Sequence, residues 1–319
     1  MYHLWLTPAV LAMMIGPLSD QAKEQSIAPS MVDERTDVID LDEDRHNRMT
    51  VPVTIEGTGP FDFMIDTGSQ ATAVTNVVND RVKLDKLGMA TLVGMASRRP
   101  VEMVEVESLG IGKRTLYDLA APLLQSNHVG ADGIIGLDSL QDTRVLIDFR
   151  TETIAIADVE DRSNSRGYEI IVRARRRQGQ LLITNALIEG VRATVIIDTG
   201  AQGSMGNLAL RDKIRQRRAR EVVTTDVNGV SLIGQLTYAR TLEIEGMTIS
   251  NVPITYADTP AFEALGLQDT PVLSIGMQHL RMFDRVAIDF SKRRIMFDLP
   301  GKMRMQDKMR RVRSTRFQS

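Results

Sequence analysis

The feature that most constrains this chain is an internal repeat of four landmarks in the same order. An apolar run ends in Asp-Thr-Gly twice, as Phe63-Met64-Ile65-Asp66-Thr67-Gly68 and as Val195-Ile196-Ile197-Asp198-Thr199-Gly200. Each copy is followed by an apolar element with a glycine, Gly133-Ile134-Ile135-Gly136 in one half and Leu273-Ser274-Ile275-Gly276 in the other. Then come Arg144-Val145-Leu146-Ile147-Asp148-Phe149 and Arg285-Val286-Ala287-Ile288-Asp289-Phe290, and last Thr153-Ile154-Ala155-Ile156 and Arg294-Ile295-Met296-Phe297. Self-similarity at this scale means two copies of one structural unit. The chain divides into halves of residues 48–160 and 161–300, joined near Asp161 to Gly167.

Each half is strand-rich, with β-branched runs bounded by Gly, Pro, Asn and Asp. Met49 to Glu56 and Phe61 to Ile65 flank Gly57-Thr58-Gly59-Pro60 and read as a hairpin that delivers Asp66 at its end. Gln180 to Glu189 and Arg192 to Ile197 flank Gly190-Val191 and deliver Asp198 in the same way. Asp supplies a carboxylate, the threonine hydroxyls can bond across to the opposite loop, and Gly68 and Gly200 lack the Cβ that would prevent close backbone approach. An Asp before Gly can also do no more than accept backbone N–H bonds in a turn. That accounts for one motif, but not for two at the same offset from three further repeated landmarks.

On these residues each half resembles one lobe of a retropepsin-type aspartic protease, and the fused pair resembles a single-chain, pepsin-like arrangement over roughly residues 50 to 300. Ser274 departs from the pattern by replacing an apolar residue, and Met277-Gln278 stands where the first half has Leu137-Asp138. The resemblance implies an all-β fold of two homologous acid-protease-like β-barrel lobes with the active site at their interface. It also implies that Thr67 and Thr199 interlock the two loops beneath Asp66 and Asp198. Two carboxylates held that close cannot both ionise cheaply, so one keeps its proton; aspartic proteases are the standing example of this effect. Such a pair activates water for peptide-bond hydrolysis without a metal or organic cofactor.

Hairpins that close over the cleft are expected between the dyad and the apolar-Gly element of each lobe. The candidates are Val93 to Arg98, with Gly94, Met95 and Ala96 at the tip, and Val227 to Ser231, where Asn228-Gly229 is a tight-turn signal. Closed over an extended peptide, they would add main-chain hydrogen bonds in the manner of an added strand. Asp148 and Asp289 recur too, but as the Asp of Ile-Asp-Phe in a hairpin they read as structural.

Composition agrees with this outline. A net charge of -2 offers no overall basic field for nucleic acid, and with no cysteine there are neither disulfides nor thiolate metal sites. His128 and His279 are isolated, and no His/Asp/Glu spacing marks a metal site. Leu4 to Leu18 is apolar but too short for a membrane span, and residues 1–28 read as a signal peptide of a secreted or periplasmic protein. Residues 29–47 are an acidic linker or prosegment, and residues 301–319 a basic tail, for which weak contact with an anionic membrane surface is the sharper alternative to simple solvation. Arg173 to Arg177 and Arg211 to Arg220 read most simply as a solvated strand edge and a helix face, with a patch for an acidic partner as the alternative.

The expected partner is an extended peptide or protein substrate, and the chain is expected to act as a monomer because both lobes lie in it. Two competing expectations remain: a protease-like module that binds peptides without cutting them, and a protease restricted to processing itself or one partner.

Overall fold

The computed structural model describes residues 10–11, 36–40, 42–43, 49–158, 168–215 and 218–301. Most of the apolar N-terminal segment and of the acidic stretch, the junction 161–167 and the tail from residue 302 lie outside the described residues. Within those two N-terminal regions, Val10–Leu11 pairs with Arg220–Asp226, Asp42–Glu43 with Met49–Ile55, and Thr36–Asp40 with Thr153–Asp158.

The first lobe begins with the antiparallel pair Met49–Ile55 and Thr58–Ile65. Val51, Val53 and Ile55 are buried while Pro52 and Thr54 between them are exposed, the period of two that a half-buried strand imposes. The turn lies one residue earlier than the glycines alone predict. Glu56 and Gly57 both have positive φ (49° and 74°), as do Glu189 and Gly190 in the second lobe (49° and 81°). Two residues of that sign match the right-handed twist of flanking strands, so both hairpins close on Glu-Gly, and Gly59-Pro60 continue the strand.

In both lobes the strand that ends at the acid is then clamped by a short parallel strand. Gly133–Ile135 lies beside Thr58–Ile65, and the Asp66 amide donates to the Ile135 carbonyl at 3.0 Å. Val272–Ile275 lies beside Val191–Ile197, and the Asp198 amide donates to the Ile275 carbonyl at 3.0 Å. Long antiparallel hairpins complete each lobe: Arg98–Ile111 with Arg114–Leu124, and Ser231–Ile244 with Met247–Tyr256.

A third sheet belongs to both lobes. Its strands run in the order Ile170–Arg173, Arg294–Asp298, Arg285–Asp289, Thr143–Asp148, Thr153–Asp158, Thr36–Asp40, so the two Ile-Asp-Phe hairpins of the repeat join edge to edge through Thr143–Asp148 and Arg285–Asp289. Val145, Ile147, Ile154, Val286, Ile288 and Ile295 are fully buried beneath it in one cluster that spans both lobes. Each such side chain contributes about 1.5–3 kcal/mol by leaving water. Arg144 crosses the seam to Asp289 at 2.7 Å, and Asp289 also accepts from Ser291 Oγ at 2.8 Å and the Lys292 amide at 2.8 Å. The lobes therefore share a floor and are not beads on a string.

Among the described residues of Arg211 to Arg220, where a helix is expected, only Arg211 is helical. The helix is Leu208–Arg211, capped by Asn207, whose side chain accepts from the Leu210 amide at 2.9 Å, and Arg220 already begins a strand. The charged run supplies almost no apolar stripe to bury, and short helices in water depend on packing.

Candidate active site

The two Asp-Thr-Gly loops meet at the lobe interface and bond reciprocally. The Thr67 amide donates to Thr199 Oγ1 at 3.0 Å, and the Thr199 amide donates to Thr67 Oγ1 at 3.3 Å. Each hydroxyl in turn donates beyond the opposite loop, Thr67 to the Ile197 carbonyl at 2.8 Å and Thr199 to the Ile65 carbonyl at 2.7 Å. All of these groups are buried, where an unmade hydrogen bond costs about 1–3 kcal/mol, so the lattice holds the loops in one register.

Above the threonines the acids face each other. Asp66 Oδ1 accepts from the amides of Gly68 at 2.7 Å and Ser69 at 3.1 Å; Asp198 Oδ1 accepts from Gly200 at 3.1 Å and Ala201 at 3.0 Å. Each glycine Cα lies against the opposite carboxylate. A Cβ on Gly68 would sit 2.6 Å from Asp198 Cγ, and one on Gly200 would sit 2.3 Å from Asp66 Cγ. No side chain fits at either position without pushing the acids apart.

Asp66 and Asp198 are 0 % and 3 % exposed. Burial, and then the charge of Asp66, push the Asp198 carboxyl well above the ordinary carboxylate range, while hydrogen bonds from Ser274, Ala201 and Gly200 oppose the shift. The Ser274 hydroxyl, 3.1 Å from Asp198 Oδ2, is a site feature that the motif did not announce. Its trace in the sequence was the break in the repeat, since the equivalent residue beside Asp66 is the apolar Ile134.

The expected flap segments are the tips of hairpins, Lys86–Val93 with Arg98–Ile111 and Arg220–Asp226 with Ser231–Ile244. Each tip buries an apolar side chain in the other lobe. Met95 packs with Ile196, Phe262 and Leu265 of the second lobe, and Val227 with Met64, Leu124 and Ile134 of the first. One carboxylate fastens the tips together. Asp226, fully buried, accepts from the Ala96 amide at 3.1 Å and Ser97 Oγ at 2.7 Å in the first lobe, and from the Asn228 and Val230 amides at 3.0 Å in its own turn. Asn228 Nδ2 adds a bond to Ser97 Oγ at 2.9 Å, and Gly94 is so close that a Cβ there would meet Asp226 Oδ2. Gly94, Met95, Ala96, Asn228 and Gly229 are thus brought together, and Asp226 is the tip residue that sequence reasoning passed over.

Met95 also lines a small apolar cavity of about 20 Å³ beside Asp198, with Ile196, Ala261, Phe262 and Leu265. Among the described residues no group of three His, Cys, Asp or Glu side chains could hold a metal ion.

Two β-rich lobes sharing a floor, each presenting an Asp-Thr-Gly loop to the other, define the aspartic protease class. Two family models match in tandem: a gag-polyprotein aspartyl protease over residues 51–142 and an aspartyl protease over residues 184–278. The chain belongs to the aspartyl proteases, as two retropepsin-like lobes fused in one polypeptide. No curated protein matches it at a significant level.

Proposed function

We propose that the protein is an aspartic endopeptidase in which Asp66 and Asp198 together activate one water. The observation that carries this is the reciprocal threonine lattice, which turns two buried carboxylates toward each other. The charged carboxylate takes a proton from the water as its oxygen attacks the peptide carbonyl carbon, and the protonated carboxyl donates to the carbonyl oxygen. The resulting tetrahedral diol collapses when the amide nitrogen gains a proton and its bond to carbon breaks. Thr67 and Thr199 position the acids, and Gly68 and Gly200 make the space for them.

The substrate is an extended peptide held between the lobes. With the hairpin tips closed, Met95 fills the space beside Asp198 and leaves no room for a substrate side chain, so the tips part before a peptide enters. The enzyme works as a monomer, and export by the apolar N-terminal segment would place it outside the cytoplasm.

Digestion of a diverse peptide library across mildly acidic to neutral pH, read by mass spectrometry, tests this. Cleavage by wild type, absent with Asp66→Asn and with Asp198→Asn, is the expected result. No cleavage by folded wild type, with peptides still bound, would replace the enzyme by a binding module.

A further inference from the structure

At the seam between the lobes lies an open pocket of about 380 Å³ lined by Gln70, Leu137, Asp138 and Gln141 of the first lobe and by Arg176, Gln178 and Gly179 of the second. We infer that this pocket is an outer subsite of the cleft and that Arg176 selects peptides carrying an acidic side chain there. This rests on the reading of the cleft as a peptide-binding groove.

The pocket is physically tied to the catalytic loop. Gln70 lies four residues after Asp66, and its Nε2 donates to the Gln178 carbonyl at 3.1 Å. Gln180, buried in the same turn, donates from Nε2 to the Gly68 carbonyl at 2.8 Å. A peptide leaving the dyad along the seam meets this turn.

The cations come from the outermost strand of the nine-stranded sheet, Arg175–Arg177, which pairs with Gln180–Ile188 on one side only. Successive side chains of a strand point to opposite faces. Arg176 accordingly faces the pocket, while Arg177 turns the other way and lays its guanidinium against Gly266, just beyond Phe262 and Leu265 of the cavity wall. Among the described residues no carboxylate pairs with Arg175, Arg176 or Arg177, and all three are exposed. Asp138, the one acid lining the pocket, is occupied by the Thr72 amide at 2.9 Å, Thr72 Oγ1 at 2.7 Å and the Ser139 amide at 2.7 Å.

Gln141 braces the wall of the pocket. Gln141 Oε1 is buried without a donor, although Gln141 Nε2 already donates to the Gly179 carbonyl at 3.4 Å. An exposed guanidinium without a carboxylate partner at this pocket fits an extended peptide that offers a carboxylate side chain. A bidentate guanidinium–carboxylate contact supplies both energy and geometry.

The test uses the full chain made inactive by Asp66→Asn with Asp198→Asn, and fluorescein-labelled decapeptides of apolar sequence in which Glu, Gln or Lys is placed at each position in turn. Fluorescence polarisation is expected to show Glu favoured over Gln by about tenfold at one position well away from the centre, weakening at high salt. Arg176→Gln should abolish the preference and Arg176→Glu should invert it toward Lys; because Arg176 is exposed, both variants keep the fold. In active enzyme, Arg176→Gln should raise KM for the Glu peptide and leave kcat unchanged. An Arg176→Glu protein that ranks Glu, Gln and Lys as wild type does would overturn the inference. Loss of cleavage with the Arg176-dependent ranking intact would instead sink only the enzymatic reading.

Discussion

The two lobes carry the same frame and differ where they touch its chemistry. Beside Asp66 the neighbouring strand presents Ile134, and beside Asp198 it presents Ser274, whose hydroxyl reaches Oδ2. Below the loops, Thr72 Oγ1 meets Ser139 Oγ at 2.6 Å in the first lobe, while Ser204 Oγ meets His279 Nδ1 at 2.7 Å in the second; both Thr72 and Ser204 accept the amide of the following lobe-equivalent glycine, Gly136 or Gly276, at 3.1 Å. The backbone scaffold tolerates either pair because it needs only a side-chain oxygen at that point. What differs is titration: the first lobe's pair is indifferent to pH near neutrality, and the second lobe's pair contains an imidazole.

The largest effect is expected at the dyad itself. If the acids act as one unit despite unequal surroundings, Asp66→Asn and Asp198→Asn each lower kcat/KM by about 10²–10⁴-fold or more, the scale of general acid–base catalysis. A variant that kept most of its activity would mean that one lobe alone carries the chemistry.

Next in size is acid stability. Burial lowers the His279 pKa to about 4, below its unfolded value of 6.5. Between those values the unfolded chain binds the extra proton, so the stability from keeping His279 neutral is complete above pH 6.5 and lost as pH falls toward 4, up to roughly 3 kcal/mol. Urea denaturation at stepped pH should show this slope in wild type and a flatter one in His279→Ser, which copies the first lobe. Equal slopes would refute the asymmetry.

The hairpin tips provide a third test. Asp226→Ala leaves the Ala96, Asn228 and Val230 amides without their acceptor, and losing one such buried partner costs about 1–3 kcal/mol. Hydrogen exchange at the Ala96 and Val230 amides should accelerate by about tenfold or more while the six-stranded sheet keeps its protection. Unchanged exchange at the tips would mean that Met95 and Val227 alone hold them closed.

The smallest effect is expected at Ser274. The Ser274 hydroxyl favours the charged form of Asp198, the member of the pair that keeps its proton, so Ser274→Ala should move the alkaline limb of the kcat/KM profile to higher pH, raise activity by about tenfold at most on that limb, and be reversed by Ser274→Thr. Asp66 is the titratable group facing Asp198, from the opposite loop; Ser274, Gly200 and Ala201 supply its hydrogen-bond donors. A lower rate without a shifted profile would reduce Ser274 to packing.

Much of this is legible in the amino-acid sequence. The Asp-Thr-Gly loops, the hairpins that deliver them and the segments that become the tips all follow from local pattern and turn chemistry. The rest hid for identifiable reasons. Ser274 showed only as a departure from the repeat, because a hydroxyl on a strand carries no periodic signal. Asp226 stands two residues before Asn228-Gly229, a position where Asp commonly serves its own turn, and its bonds to Ala96 and Ser97 span about 130 residues of chain. The run Arg175–Arg177 read as a solvated edge, which it is; its nearness to Gln70 required the lobes to be docked.

By itself the sequence determined that there are two copies of one β-rich unit and that each ends a strand in an acid, because strand periodicity and tight turns are decided by residues close in the chain. Which acids, hydroxyls and cations meet is settled by the docking of the lobes. Those encounters depend on register across the shared sheet and on the exchange of Met95 and Val227 between lobes, and no local preference encodes either.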